Sequence, residues 1–156
     1  MERFVIDIDD PKREDVRALL AAHLAFARSV TPPEHSYALD PDGLLDEAVT
    51  LFSVRGSGGE LLGVGALKQL DPGHVELKSM HTAASARRRG VGRALVEHLL
   101  EAAAARGARR VSLETGTAEA FTAARALYAA AGFVPCGPFG DYEPSPDNTF
   151  MTRELG

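Results

Sequence analysis

The chain has 156 residues, of which 45% are hydrophobic and 25% charged, as expected for one globular domain. The chain has 22 acidic and 17 basic residues, so it has no overall positive charge that would attract a nucleic acid. A single cysteine, Cys136, excludes an internal disulfide and a cysteine-based metal site, which fits a reducing compartment. Since no signal peptide and no apolar run of ~20 residues is present, we expect one cytoplasmic domain over residues 1–156, without metal, membrane or nucleic-acid partners.

The first half of the chain predicts one clear helix among short strands. Residues 4–8 are a strand candidate, and apolar residues at helical spacing predict a helix over about 11–27, with Asp10 and Pro11 at its start. Two prolines make residues 29–36 a rigid loop, and a weaker helix is predicted over 42–49. A glycine-rich turn at 56–59 then predicts a hairpin of strands 50–55 and 61–69.

The second half predicts alternating strands and helices. The predicted strands are 74–82, 110–115, 133–136 and 148–154, and the predicted helices follow residue 90 and span 118–131. Residues 137–147 are rich in Pro, Gly and Asp and predict a long loop. The resulting order, β-α-α-β-β-β-α-β-α-β-β, indicates an α/β (α+β) fold in which an antiparallel meander precedes a crossover.

Residues 87–94, Arg-Arg-Arg-Gly-Val-Gly-Arg-Ala, are the most distinctive segment of the sequence. Gly90 and Gly92 let the backbone approach a ligand, and the free amides of a helix start are donors for an anion. The arginines add cationic donors for phosphate oxygens. The spacing matches neither a Walker loop nor a Rossmann fingerprint. The segment predicts a pyrophosphate site, and the alternatives are a solvated basic helix start or an RNA-binding patch.

The pattern Arg-x-x-Gly-x-Gly at 87–92 resembles the coenzyme A loop of the GCN5-related N-acetyltransferase (GNAT) family. Residues 127–133 carry Leu-Tyr-x-x-x-Gly-Phe, which the family has at the same distance from that loop. The element order is also that of the family, so the resemblance covers nearly the whole chain. It implies the GNAT acyl-CoA N-acyltransferase fold, with a mixed central sheet of about seven strands flanked by about four helices. Residues 32–34, 65–68, 76–80 and 113–116 are similar to the YsnE-type group of bacterial N-acetyltransferases.

The resemblance implies that acetyl-CoA is the co-substrate and lies where two neighbouring parallel strands separate. These strands are 76–82 and 111–115. The backbone of Met80, His81 and Thr82 would pair with the pantetheine arm. The residues that would hold the pyrophosphate are Arg87, Arg88, Arg89, Gly90, Val91, Gly92, Arg93 and Ala94.

Three side chains are candidates for catalysis. Tyr128 matches the tyrosine that many family members place near the thioester sulfur as general acid, and the alternative is a core aromatic residue. Glu76 and Glu114 lie on the two flanking strands and are the candidates for the general base. Glu76 is the first to test. The alternative for each is an outward-facing or ion-paired carboxylate. Phe121 stands where the family often has an asparagine that binds the cofactor, so that contact is missing or replaced.

The acceptor side is predicted from the same resemblance. His35 lies in the Pro-Pro loop that would cover the acceptor pocket, and Glu34, Asp141 and Tyr142 complete the predicted set. The expected reaction is direct attack of a small-molecule primary amine on the thioester, without a covalent enzyme intermediate. A peptide or protein acceptor, a non-catalytic acyl-CoA-binding regulatory module and a nucleic-acid-binding protein are the alternatives. A homodimer is a further expectation, because the edge strands of the predicted sheet are free to pair with a second copy of the chain.

Overall fold

The computed structural model describes residues 3–36 and 43–156. Within these residues the strands are β1 (Val5–Ile8), β2 (Val49–Arg55), β3 (Leu61–Asp71), β4 (His74–Thr82), β5 (Arg110–Gly116), β6 (Val134–Cys136) and β7 (Asn148–Glu154). The helices are α1 (Glu14–Val30), α2 (Val91–Ala105) and α3 (Thr122–Ala130). Nowhere in this described part does a helix have the length and apolar character needed to cross a membrane.

The strands form one mixed sheet in the order β1-β2-β3-β4-β5-β7-β6. Strands β1 to β4 are an antiparallel meander, whereas β4 and β5 are parallel neighbours joined through α2. A parallel pair needs such a crossover because its strands run in the same direction. The last strand, β7, lies antiparallel between β5 and β6. The predicted α/β (α+β) architecture is therefore confirmed.

In the first half of the chain two predicted helix starts are wrong, and both fail because a short polar side chain makes a turn instead. The carboxylate of Asp10 accepts a hydrogen bond from the amide of Lys12, so a turn precedes α1, which begins at Glu14. The predicted helix at 42–49 begins outside the described residues, and residues 43–45 form only a 3-10 turn. The carboxylate of Asp46 then accepts from the amide of Ala48, and β2 begins at the next residue.

Helix α2 lies directly on the sheet because β3 carries glycine where the two meet. A Cβ added at Gly63 would lie 2.9 Å from Val91 Cγ1, and one added at Gly65 would lie 3.0 Å from Leu95 Cδ2. The alternate residues of β3, including Val64, point to the opposite face and pack against α1. This close approach fixes the start of α2 beside the end of β4, where the predicted cofactor segment lies.

Candidate active site

Strands β4 and β5 separate in the middle of the sheet. Their parallel pairing runs only from His74 and Arg110 to Leu77 and Leu113, although both strands continue beyond the last pair. At this point the register of β4 against β3 shifts by one residue, and Ser79 has a φ of 57°. An extra residue in one strand bends it and turns its ladder groups away from the neighbour. The bulge therefore opens a gap in the sheet at the predicted place.

A cavity of about 100 Å³ lies in this gap. Its walls come from the separated strands, from α1 and α3 and from the loop after α1. Among the predicted site residues, the structure brings together Glu76, Met80, Glu114, Tyr128 and His35 on these walls. The catalytic candidates and one acceptor-side candidate therefore share a single space.

Helix α2 begins without a side-chain cap. Its N-cap is Gly90, which has a φ of 81°, and the first hydrogen bond of the helix runs from the amide of Ala94 to the Gly90 carbonyl over 3.0 Å. The left-handed backbone at Gly90 is costly for other residues. The amides of Val91, Gly92 and Arg93 have no carbonyl partner within the helix, so they are donors for an anion.

The start of α2 lies beside the end of β4. A Cβ added at Gly92 would lie 3.1 Å from Leu127 Cδ2 and 3.9 Å from Thr82 Oγ1. The arginines before the helix are exposed: Arg87, Arg88 and Arg89. The predicted cofactor residues thus form one continuous edge from the strand end to the first turn of the helix.

The bulge leaves one polar atom without a partner. The hydroxyl of Ser79 is buried and has no hydrogen-bond partner in the described structure. Buried polar atoms are nearly always paired, so this hydroxyl marks a place where a bound molecule or water completes the site. Because Ser79 and Met80 both line the cavity, the unpaired hydroxyl lies where the pantetheine arm is predicted to run.

The side chain of His81 lies towards α1. Its Nδ1 lies 3.2 Å from Nδ1 of His23, and the two rings meet edge to face. Burial lowers the pKa of His23 to about 4, with smaller contributions from His81 and Lys78. Burial and then Arg87 also lower the pKa of His81. Both rings are therefore neutral at neutral pH, and only the backbone of His81 remains a candidate for cofactor contact.

Glu76 is a buried, ion-paired carboxylate. It is only 3% exposed, and its Oε2 accepts hydrogen bonds from Lys78 Nζ at 3.2 Å and from the Tyr142 hydroxyl. Lys78 Nζ also donates to the Tyr142 oxygen at 2.6 Å. The loop that carries Tyr142 is thereby fastened to β4, and the carboxylate of Glu76 already has two donors.

Glu114 has different surroundings. Its Oε2 accepts one hydrogen bond from Asn148 Nδ2, at 2.5 Å. Burial raises the pKa of Glu114, and the hydrogen bond from Asn148 and the charge of Lys78 only partly oppose this effect. When the pKa of a carboxylate in a cleft is raised, it comes closer to the pKa of an effective general base at neutral pH. Of the two glutamates, Glu114 therefore has fewer donors and the raised pKa.

Tyr128 is both a packed core residue and a residue of the cavity wall. Its ring is 7% exposed and packs edge to face against Phe133, with centroids 5.9 Å apart, yet the residue also lines the cavity. Burial and then the charge of Glu114 raise its pKa. The phenol therefore keeps its proton, and its hydroxyl is suited to donating a hydrogen bond.

His35 is held by two residues that the sequence did not single out. Its Nδ1 lies 2.5 Å from Oδ2 of Asp147, and its carbonyl accepts a hydrogen bond from Asn148 Nδ2 at 2.9 Å. These partners lie 112 and 113 residues further along the chain. No local pattern identifies them, because the contacts form only when β7 is placed next to β5.

The remaining candidates lie elsewhere or act as walls. Glu34 and Asp141 are exposed and do not line the cavity. The ring of Phe121 lies against the end of β5, where a Cβ added at Gly116 would come within 2.4 Å of it, and packs at 5.3 Å from the ring of Phe26. Phe121 is thus an apolar wall at the position where a polar cofactor contact is common in the resembled family.

A profile of the Acetyltransferase (GNAT) family matches residues 16–133. The chain belongs to the GNAT family. Over 152 residues it is 45% identical to the Escherichia coli protein named uncharacterized N-acetyltransferase YedL, covering 97% of this chain and 95% of that one. Over 150 residues it is 43% identical to uncharacterized N-acetyltransferase YsnE of Bacillus subtilis, covering 96% and 99%. The predicted resemblance to the family and to the YsnE group is confirmed.

Solved GNAT-type structures have the same fold. A putative acyl-CoA N-acyltransferase from Klebsiella pneumoniae superposes with a TM-score of 0.80 at 27% identity, covering 98% of each chain. A Bacillus subtilis acetyltransferase in complex with CoA superposes with a TM-score of 0.74 at 20% identity, covering 98% of this chain and 99% of that one. The second likeness shows the fold alone.

Proposed function

We propose that this GNAT member transfers the acetyl group of acetyl-CoA to a primary amine of a small molecule, by direct attack of the amine on the thioester. The observation that carries the proposal is the gap between β4 and β5. It places Glu114 and Tyr128 on the walls of one cavity. The uncapped start of α2 lies at the adjoining strand end.

Acetyl-CoA fits this edge of the sheet. The free amides at the first turn of α2 would hold its pyrophosphate, with the exposed arginines contributing positive charge. The pantetheine arm would run along Met80 and Thr82 and give the buried hydroxyl of Ser79 the partner that it lacks. The CoA bound to the structurally similar Bacillus subtilis acetyltransferase supports this choice of ligand.

Glu114 and Tyr128 would divide the proton chemistry between them. The amine attacks only after it loses a proton, and the Glu114 carboxylate, with its raised pKa, would accept that proton. As the carbon–sulfur bond breaks, the protonated Tyr128 hydroxyl would donate a hydrogen bond to the sulfur. Glu114 would thus prepare the bound amine for attack, and Tyr128 would stabilise the charge that develops on the sulfur.

The acceptor side favours a small molecule over a peptide. The cavity is only about 100 Å³, and its acceptor end is bounded by His35 and by the Glu76–Lys78 ion pair. The Tyr142 hydroxyl bonds to both members of that pair, so the loop that carries it is fastened across this end of the cleft. An extended peptide would need these contacts to open.

A thiol-release assay with acetyl-CoA tests the proposal, with amino acids, polyamines, aminoglycosides and peptides as acceptors. We expect release with at least one small primary amine. Glu114→Gln should lower kcat by about 100-fold or more, the usual range for a lost general base, whereas the exposed Glu101→Gln should not. Tight acetyl-CoA binding without turnover on any amine would instead support the regulatory module, and turnover on peptides alone would support a peptide acceptor.

A further inference from the structure

The proposed reaction leaves one proton that must reach solvent. An amine that arrives as an ammonium ion loses two protons when its nitrogen–carbon bond forms. The thiolate released by the broken carbon–sulfur bond takes up one of them, and the other leaves the protein. Glu114 and Tyr128 are mostly buried, so neither is suited to release it directly. A group at the mouth of the cavity is needed for this step.

The pair His35 and Asp147 lies at that mouth. His35 lines the cavity, and the two side chains are 32% and 35% exposed, so the pair reaches both the cleft and solvent. The Asp147 carboxylate lies 2.5 Å from Nδ1 of His35 and therefore favours the tautomer that has its proton on Nδ1. In that tautomer Nε2 carries a free lone pair and accepts protons.

One amide group joins this pair to the proposed base. Asn148 Nδ2 donates both to Glu114 Oε2 at 2.5 Å and to the His35 carbonyl at 2.9 Å. Asp147 and Asn148 are consecutive residues at the start of β7, so one strand end orients both the base and the histidine. A water molecule between Glu114 and the imidazole is the connection that a proton transfer between them requires.

The other charged or titratable groups around the cavity already have partners. Lys78 is bound to Glu76 and Tyr142, and the neighbouring ring of His23 is bound to His81. His23 also stays neutral, because burial lowers its pKa to about 4. Within the described residues, His35 is the cavity histidine whose partner is a carboxylate and whose ring reaches solvent.

We propose that His35, oriented by Asp147, is the outlet through which the acceptor's proton leaves the cleft. The inference rests on the proposed function. Glu114 takes the proton from the ammonium ion, Nε2 of His35 accepts it from Glu114 through water, and solvent takes it from the imidazole. Asp147 is a positioning residue, since it acts only through His35.

Kinetics with the best amine from the acceptor panel test this outlet. His35→Gln should lower kcat about tenfold while the KM for acetyl-CoA stays within about twofold, and added imidazole should restore part of the rate. Asp147→Asn should lower kcat by a smaller factor, because the imidazole stays in place but loses the carboxylate that orients it. His98→Gln is the matched control, because His98 packs on Phe52 outside the cavity walls. A His35→Gln rate equal to that of the control, or a loss confined to the KM of the amine, would overturn the proposal.

Nuclear magnetic resonance of protein labelled with ¹⁵N-histidine gives a readout that needs no acceptor. We expect neutral His35 to carry its proton on Nδ1 in the wild type and to lose this preference in Asp147→Asn. A proton on Nε2 in the wild type would overturn the outlet even if an amine is acetylated. If no amine in the panel is acetylated, the proposed function fails, and the tautomer measurement still decides whether Asp147 orients the imidazole.

Discussion

The two halves of the candidate active site are built in different ways. The coenzyme half consists of backbone: a bulge at Ser79 and the uncapped amides that follow Gly90. The acceptor half consists of side-chain pairs between distant parts of the chain. Examples are Glu114 with Asn148, 34 residues apart, and Lys78 with Tyr142, 64 residues apart.

This difference separates what a short motif can mark from what only contacts between distant residues can build. Backbone donors bind a phosphate whatever the neighbouring side chains are, so a short motif is enough to mark the coenzyme half. Side-chain pairs set the shape and charge of the acceptor half, and they change whenever one partner changes. Variants of the two halves should therefore have separable effects, and four such tests follow from the largest expected effect to the smallest.

Gly92→Val should damage the coenzyme half most. The added Cβ would lie 3.1 Å from Leu127 Cδ2, and the larger side chain would stand at the first turn of α2. We expect the Kd for acetyl-CoA, measured by calorimetry, to rise about 100-fold or more, the equivalent of two lost hydrogen bonds to a charged group. Gly137→Ala is the control, because Gly137 is exposed and no atom lies within 4 Å of the position that its added Cβ would take. Unchanged affinity in a folded Gly92→Val protein would contradict the backbone site.

Lys78→Met should damage only the acceptor half. It leaves the buried carboxylate of Glu76 without its cation, and breaking a buried ion pair in this way typically costs about 3–5 kcal/mol. We expect a clear fall in the free energy of urea unfolding and an unchanged Kd for acetyl-CoA.

The double variant Glu76→Gln with Lys78→Met is the matched control, since it removes both charges together. It should recover most of the lost stability. A double variant as unstable as the single one would show that the ion pair is not what Lys78 contributes.

Tyr128→Phe lies at the boundary between the halves and should have a smaller effect. Removing the hydroxyl takes away the proposed donor to the sulfur but keeps the ring that packs against Phe133. We expect kcat to fall about tenfold, the worth of one hydrogen bond, with the Kd for acetyl-CoA unchanged. A variant as fast as the wild type would remove Tyr128 from the mechanism.

The smallest expected effect is a gain in stability from Glu114→Gln. Because burial raises the pKa of Glu114, its ionised form destabilises the folded state at neutral pH, and this cost disappears below the pKa of the unfolded chain. The variant should therefore melt about 2–4 °C higher than the wild type at pH 7, for ~1 kcal/mol, and at the same temperature as the wild type at low pH. Melting curves at pH 7 and pH 4 check this, and an equal gain at both values would refute the electrostatic cause.

The sequence predicts the start of α2 and the sheet well because both depend on local signals. The two glycines of residues 87–94 and the periodicity of the flanking segments suffice for the loop, for α2 and for the element order. The residue-level roles in the loop remain predictions. The predicted helix at 42–49 fails because the turn at Asp46 competes with a weak apolar pattern.

The acceptor half is only partly predictable. His35 and Tyr142 belong to the acceptor set that the sequence predicts, but the contacts that hold them are not predicted. Asp147 and Asn148 look like ordinary residues at the end of a long loop, and only the antiparallel placement of β7 beside β5 brings them to the cleft. The sequence could not separate Glu76 from Glu114, because Tyr142 and Asn148, the partners that make their surroundings differ, lie far along the chain.

A crystal structure of the protein with acetyl-CoA tests the central claim most directly. The account predicts the pyrophosphate on the amides that follow Gly90, the pantetheine arm within hydrogen-bond distance of the Ser79 hydroxyl, and the thioester between Glu114 and Tyr128. Phosphates bound away from the start of α2, or a thioester outside the gap between β4 and β5, would contradict it.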